Sequence, residues 1–116
     1  VLAIGLPGGS RIPTTLLAVL LEHLQFDKPL GEVIAAPRFH LRRSWLLEPD
    51  SNEFQFEKGM GATIAGELEQ LGWTVSMVTN PEYFGGVTAI SLEDNGRLTG
   101  WADWRRTNRA VAVERN

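Results

Sequence analysis

Three features of the 116-residue sequence predict an α+β fold. Apolar residues recur at helical spacing in Pro13–Gln25 and again at Ile64, Leu68 and Leu71, which stand at i, i+4 and i+7. Trp73, Val75 and Met77 alternate with Thr74 and Ser76, the period of a strand. Two β-rich runs, Val87–Glu93 and Arg97–Asp103, flank Asp94-Asn95-Gly96, a hairpin signal.

In chain order, Val1–Gly5 is a short apolar strand, and Leu6-Pro7-Gly8-Gly9-Ser10 is a turn cluster. Pro13 suits the first turn of the helix that follows, where its missing N–H costs nothing. Leu16, Leu17, Val19, Leu20, Leu21 and Leu24 wrap most of that helix, so it is predicted to lie between layers or beneath sequence from outside this chain. Asp27-Lys28-Pro29 opens a second, shorter helix through about Ala35, ended by Pro37. Trp45–Glu48 and Glu53–Glu57 read as two short strands around Pro49-Asp50-Ser51-Asn52. Gly72 follows the third helix in the place of a left-handed cap. The predicted order is therefore strand, two helices, two short strands, a helix, and a closing antiparallel set of three strands. No repeat or linker interrupts residues 1–116, which read as one partial domain.

Composition narrows the function classes. The chain is 43% hydrophobic and 22% charged, too apolar for disorder. Its longest unbroken apolar run, Leu16–Leu21, is far short of the ~20 residues of a membrane span. With no cysteine there is no disulfide, thiolate metal site or cysteine nucleophile. Val1–Arg43 carries five basic and three acidic residues, Ser44–Gly100 two and nine, and Trp101–Asn116 four and two. That pattern reads as a solvated surface of mixed sign. With no basic–aromatic stripe, it gives no signature of nucleic-acid binding. Val1 is not an initiator methionine, and Val1–Leu6 is too short for a signal peptide, so the sequence reads as an excerpt or processed piece that opens on a strand of a larger domain.

No Ser-His-Asp set, metal-ligand spacing or phosphate-binding glycine loop of the Walker type is present. His23 reads as a boundary residue among leucines, and His40 follows a helix-ending proline. The four tryptophans are expected in the core or an interface. Glu48, Asp50, Glu53 and Glu57 are expected in a solvated loop and on outward strand faces. The strongest local signal is Pro7-Gly8-Gly9-Ser10-Arg11. Adjacent glycines between a strand and a helix start either make a plain tight turn or converge their N–H groups on an anion or a developing oxyanion.

The segment Pro7-Gly8-Gly9-Ser10-Arg11-Ile12, with Thr14-Thr15 and the aliphatic helix behind it, resembles the C-terminal part of the small subunit of gamma-glutamyltranspeptidases. Ala35-Ala36-Pro37-Arg38-Phe39-His40 is similar to a later segment of the same family. So are Glu57-Lys58-Gly59 with Leu68–Val75, and Gly86–Ile90 with Gly96–Gly100 and Asp103, all in the family's order. The sequence departs from the family pattern at Leu41-Arg42-Arg43-Ser44 and at Trp104, where proline is usual.

The resemblance implies part of an N-terminal nucleophile hydrolase αββα sandwich, with mainly antiparallel strands and layered helices. It implies an autoprocessed enzyme in which an N-terminal threonine attacks gamma-glutamyl amides such as glutathione, with no metal or organic cofactor. Position by position, Gly8 and Gly9 match the pair whose backbone N–H groups form the oxyanion hole. Ser10 and Arg11 match the serine and arginine that follow, and only a supporting role at that loop is assigned to them. The nucleophile and the groups that grip the glutamyl moiety correspond to nothing here. The implied partners are the large subunit, the N-terminal part of the small subunit and a gamma-glutamyl substrate, with pairing between copies of the bare chain through exposed apolar surface. Family habit places such enzymes in the periplasm or outside the cell, and a chain without cysteine is compatible with either side of the membrane. A related acylase, a poly-gamma-glutamate depolymerase, a non-catalytic interaction module on the same scaffold and a small anion-binding domain are the alternatives.

Overall fold

The computed structural model describes residues 1–43 and 52–113. Its elements are β1 (Leu2–Gly5), α1 (Arg11–Leu24), α2 (Leu30–Ala35), β2 (Phe39–Arg43), β3 (Asn52–Glu57), α3 (Ala62–Gln70), β4 (Thr74–Val78), a 3-10 turn (Pro81–Phe84), β5 (Thr88–Leu92) and β6 (Leu98–Ala102). The expected strand at Trp45–Glu48 and most of its turn, with Glu48 and Asp50, lie outside the described residues. On one side β3 pairs with β2, which begins two residues after Pro37, with Phe39 opposite Phe56 and Leu41 opposite Phe54. Pro37 biases Ala36 toward extended backbone and so ends α2, and the stacked rings of Phe39 and Phe54, 5.6 Å apart, add a contact between β2 and β3.

Among the described residues the strands form two sheets, ordered β1-β5-β6 and β2-β3-β4. The first is antiparallel throughout; in the second, β2 runs antiparallel and β4 parallel to β3. The final three strands are therefore not one antiparallel set, as the sequence order predicted. β4 returns beside β3 by a crossover through α3, the geometry a parallel pair requires, and β1 joins β5 from the other end of the chain. α3 closes as predicted: Trp73 N–H donates to Leu68 O and Gly72 N–H to Glu69 O, with Gly72 at φ +89°. Its stripe stays largely uncovered, however, with Ile64 and Leu71 exposed.

The core lies between α1, α2 and the first sheet. Val19, Leu30, Val33, Ile34, Val87 and Ala89 are buried there, and Leu2, Ile4, Leu6 and Trp101 pack against them. A Cβ on Gly31 would lie 2.5 Å from the Trp101 ring, so α2 approaches the sheet as closely as a bare backbone permits. Only one stripe of α1 is buried; Leu17, Leu21 and Leu24 are exposed. Trp104 is exposed in this chain, outside the core, with its ring on the Arg105 guanidinium at 4.8 Å.

Alternation gives the second sheet one polar face. His40, Gln55 and Ser76 lie side by side across its three strands. The start of α1 docks on this row, where Thr14 Oγ1 and His40 Nδ1 are 3.0 Å apart. Burial pushes the His40 pKa below its usual 6.5, and the positive charges of Arg11 and Arg42 push the same way, against a smaller upward pull from Glu53.

A buried ionic cluster ties the two sheets to α2. Arg105 uses all five of its N–H donors. Nε and Nη2 reach the two Glu57 oxygens at 2.6 and 2.7 Å; Nη1 reaches Asp103 Oδ1 at 3.0 Å and Ile34 O at 2.9 Å; Nη2 also reaches Ala36 O at 2.7 Å. Arg38 Nη2 donates to Asp103 Oδ2 at 2.9 Å and to Ile34 O at 2.7 Å. Asp103 also accepts from the Val87 and Arg105 amides, and Glu57 from the Arg38 amide. Two guanidinium groups thus cap the free carbonyls at the α2 C-terminus, where positive charge is favoured. Glu57, expected to face outward, is buried. Its alternation is that of a strand, but the outer side of β3 at this end is covered by Arg105.

Burial opposes both guanidinium charges. At Arg105 the bonds to Glu57 and the Asp103 charge outweigh it and raise the pKa. At Arg38, which has fewer partners, burial and the neighbouring Arg105 charge win and lower it. Both remain cations at neutral pH.

Arg105→Met would strand two buried carboxylates without their shared cation. A loss of about 3–5 kcal/mol is expected on urea denaturation of the protein carrying this chain. For His40, the unfolded chain takes up its proton at higher pH than the fold does. The neutral-state preference is fully present above about pH 6.5 and is lost as pH falls below it. His40→Gln is expected to flatten that part of the pH–stability profile, seen as a smaller difference in urea midpoint between about pH 5 and about pH 7.5.

Candidate functional site

The turn between β1 and α1 is built around two glycines. Gly9 has φ +58° and Gly8 φ +153°, angles at which a side chain is strained, so the chain can reverse here only with residues of this kind. Their carbonyls are turned into the helix start: Gly8 O accepts from Arg11 N–H at 3.2 Å and Gly9 O from Ile12 N–H at 3.1 Å. Their own N–H groups donate to no acceptor among the described residues. Gly9 and Ser10 are exposed and Gly8 is half-buried. Ser10 stands at the N-cap position of α1 in helical backbone geometry, and its side chain makes no capping bond. The two amides therefore lie beside the first turn of a 14-residue helix, where the positive end of the dipole favours negative charge.

Arg11, the first residue of α1, places a cation where the helix dipole disfavours one. It is held there by stacking: its guanidinium carbon lies 4.1 Å from the centre of the Tyr83 ring. Tyr83 OH donates to Gln55 Oε1 at 2.6 Å. Gln55 Nε2 and Ser76 Oγ both donate to Glu53 Oε1, at 3.2 and 2.7 Å. The Ser76 bond is the main reason the Glu53 pKa falls below the usual carboxylate value.

Of a second glycine pair, Gly85 backs the turn, while Gly86 is packed against Asn108 and Arg106. A Cβ on Gly85 would overlap the Pro7 carbonyl oxygen, and one on Gly86 would lie 2.6 Å from Asn108 Nδ2. Phe84, fully buried, meets the Tyr83 ring edge-on at 5.2 Å.

The structure thus brings Gly8, Gly9, Ser10 and Arg11 into one turn and places His40 one layer beneath, against Thr14. His23 is elsewhere: its Nδ1 donates to Lys28 O at 2.8 Å and fastens the corner between α1 and α2, a structural task. Sequence reasoning passed over Tyr83, Gln55 and Gly85. Asn80-Pro81 was the available signal for the turn carrying two of them. The Asn80 side chain accepts from Glu82 N–H at 3.1 Å, and Pro81 occupies the first helical position. Gln55 gave no such sign, since its role depends on a partner 28 residues away. Chemically, the turn offers two adjacent main-chain donors to an oxygen carrying negative charge. No residue of the turn offers a matching nucleophile and base pair.

Comparison with known proteins places this chain in a family. The family model for gamma-glutamyltranspeptidase matches residues 1–113. The glutathione hydrolase proenzyme of Escherichia coli (strain K12) is 34% identical over 111 residues, which is 96% of this chain and 18% of that protein. The acylase ACY 1 proenzyme of Pseudomonas sp. (strain V22) is 31% identical over 96% of this chain and 18% of its own length. The crystal structure of the Bacillus anthracis transpeptidase enzyme CapD superposes with a TM-score of 0.81 at 28% identity, covering 97% of this chain and 63% of that one. The chain thus spans about a fifth of the length of these curated relatives. The α+β arrangement, with helices layered on mainly antiparallel strands, is part of an N-terminal nucleophile hydrolase sandwich. On this match along nearly its whole length, the chain belongs to the gamma-glutamyltranspeptidase family.

Proposed function

We propose that residues 1–116 are a partial domain, the C-terminal portion of the small subunit of a gamma-glutamyltranspeptidase-like enzyme, and that Gly8 and Gly9 supply its oxyanion hole. The whole protein would hydrolyse or transfer gamma-glutamyl groups from glutathione-type amides. The nucleophile would be an N-terminal threonine contributed by the rest of the same precursor, its α-amino group serving as base. As that hydroxyl adds to the gamma-glutamyl carbonyl, the oxygen gains negative charge. The Gly8 and Gly9 N–H groups would meet it, already oriented by a turn that engages their carbonyls and leaves their donors unused among the described residues. That pair of unengaged adjacent amides beside a helix N-terminus is the observation that carries the proposal. Ser10 and Arg11 take a supporting part at that loop.

Identity of 31% to the acylase favours a second reading, an amide hydrolase with a different acyl group. The likeness to the transpeptidase enzyme CapD adds a third kind of relative on the same scaffold. The full-length protein tests these directly: faster turnover of a gamma-glutamyl anilide than of a glutaryl amide supports the first, and the reverse order supports the acylase.

The 116-residue chain alone is expected to release no product from a gamma-glutamyl anilide. Its exposed Leu17, Leu21, Leu24 and Phe26 are expected to make it sediment as more than a monomer. In the full-length protein, Gly9→Val forces a β-branched side chain into φ +58° and displaces the donor. A fall in kcat of about 10²-fold is expected in steady-state assays, with a smaller change in KM.

A further inference from the structure

We propose that Tyr83 is a positioning residue for the Gly8–Gly9 turn, acting through Arg11. This rests on the oxyanion-hole reading and extends it to a residue in a different part of the chain. The turn needs outside support, because Gly8 and Gly9 have no side chains and Ser10 makes no capping bond. Two contacts supply it, and both come from the segment at Tyr83–Gly85. Gly85 lies against the Pro7 carbonyl so closely that a single added carbon would collide. Two residues earlier, the Tyr83 ring carries the Arg11 guanidinium at 4.1 Å. Pro7 and Arg11 bracket the glycine pair, so this one segment sets both ends of the turn.

The segment is itself fixed to the second sheet. Tyr83 OH donates to Gln55 Oε1 at 2.6 Å, and Gln55 is buried in the middle of β3 with its amide held by Glu53. Phe84 anchors the other side with no exposed surface. Arg11 has no carboxylate partner among the described residues, and its buried Nε has no hydrogen-bond acceptor there. The aromatic face is thus its main observed restraint. Loss of the Tyr83–Gln55 bond would let the ring swing, Arg11 follow it, and the first turn of α1 shift relative to Pro7. Shifts of this size are costly in a site whose donors must meet an oxygen that is charged only in the transition state.

The test uses the full-length, processed enzyme with a gamma-glutamyl anilide. Tyr83→Phe keeps the ring and removes the hydroxyl. Arg11→Lys keeps the charge and removes the planar stack. Each is expected to lower kcat by about tenfold with KM within about twofold. A boronate analogue of the tetrahedral intermediate should weaken in parallel, while binding of free glutamate stays unchanged. Because both act through one contact, the double variant should lose little more than either alone. Multiplicative losses, or an unchanged kcat in Tyr83→Phe with a folded, processed enzyme, overturn the inference and leave the oxyanion reading standing. If Tyr83→Phe fails to fold, Arg11→Lys decides by the same kcat and boronate readouts. Wild-type protein without gamma-glutamyl turnover, or a Gly9→Val variant as active as wild type, overturns both.

Discussion

The fold depends on one buried cluster, in which Arg105 joins Glu57 of β3 to Asp103 just beyond β6 while Arg38 reaches the same aspartate from the far side. Ion pairs of this kind repay their desolvation only when geometry is good and every remaining donor is occupied. Arg105 meets that condition completely and Arg38 only in part, since its Nε and Nη1 have no partner among the described residues. What the cluster adds is register. Ile34 O and Ala36 O at the end of α2, the Val87 amide before β5 and the Arg38 amide before β2 all bond to it. Among the described residues the two sheets share no strand, so this junction and the docking of α1 help to set how one lies against the other.

The glycine turn depends on that junction at one remove. β1 brings the chain to Pro7 by pairing with β5, and β5 starts beside Val87, whose amide is held by Asp103. The segment that supports the turn, Tyr83–Gly85, ends two residues before Val87. A shift of the ionic cluster would therefore move the support and the strand leading into the turn together. Under the proposed oxyanion-hole role of the turn, this would link stability to chemistry.

Much of this was legible locally. Helices at Pro13–Gln25 and Leu30–Ala35, the cap at Gly72, the hairpin at Asp94-Asn95-Gly96 and the special turn at Gly8-Gly9 all announce themselves by spacing or by residues with restricted backbone angles. These signals act within four or five residues, so they survive being read one window at a time. The pairing of β4 with β3 does not announce itself, because an alternating strand fits either a parallel or an antiparallel neighbour. The misplacement of Glu57 has the same root: alternation says that a carboxylate and a phenylalanine face opposite ways, and says nothing about an arginine 48 residues further on that covers the polar side.

The sequence by itself determined the inventory: which segments are helical, where the chain must turn on glycine, and, through ordered motifs along nearly its whole length, which family it belongs to. Only the tertiary structure decided that Arg38, Glu57, Asp103 and Arg105 form one cluster, and that Tyr83, Gln55 and Gly85 stand behind the glycine turn. The physical reason is range. Backbone preference and periodicity are set by neighbours in the chain, whereas ion pairing, aromatic stacking and close backbone approach depend on distances through space, which no local pattern encodes.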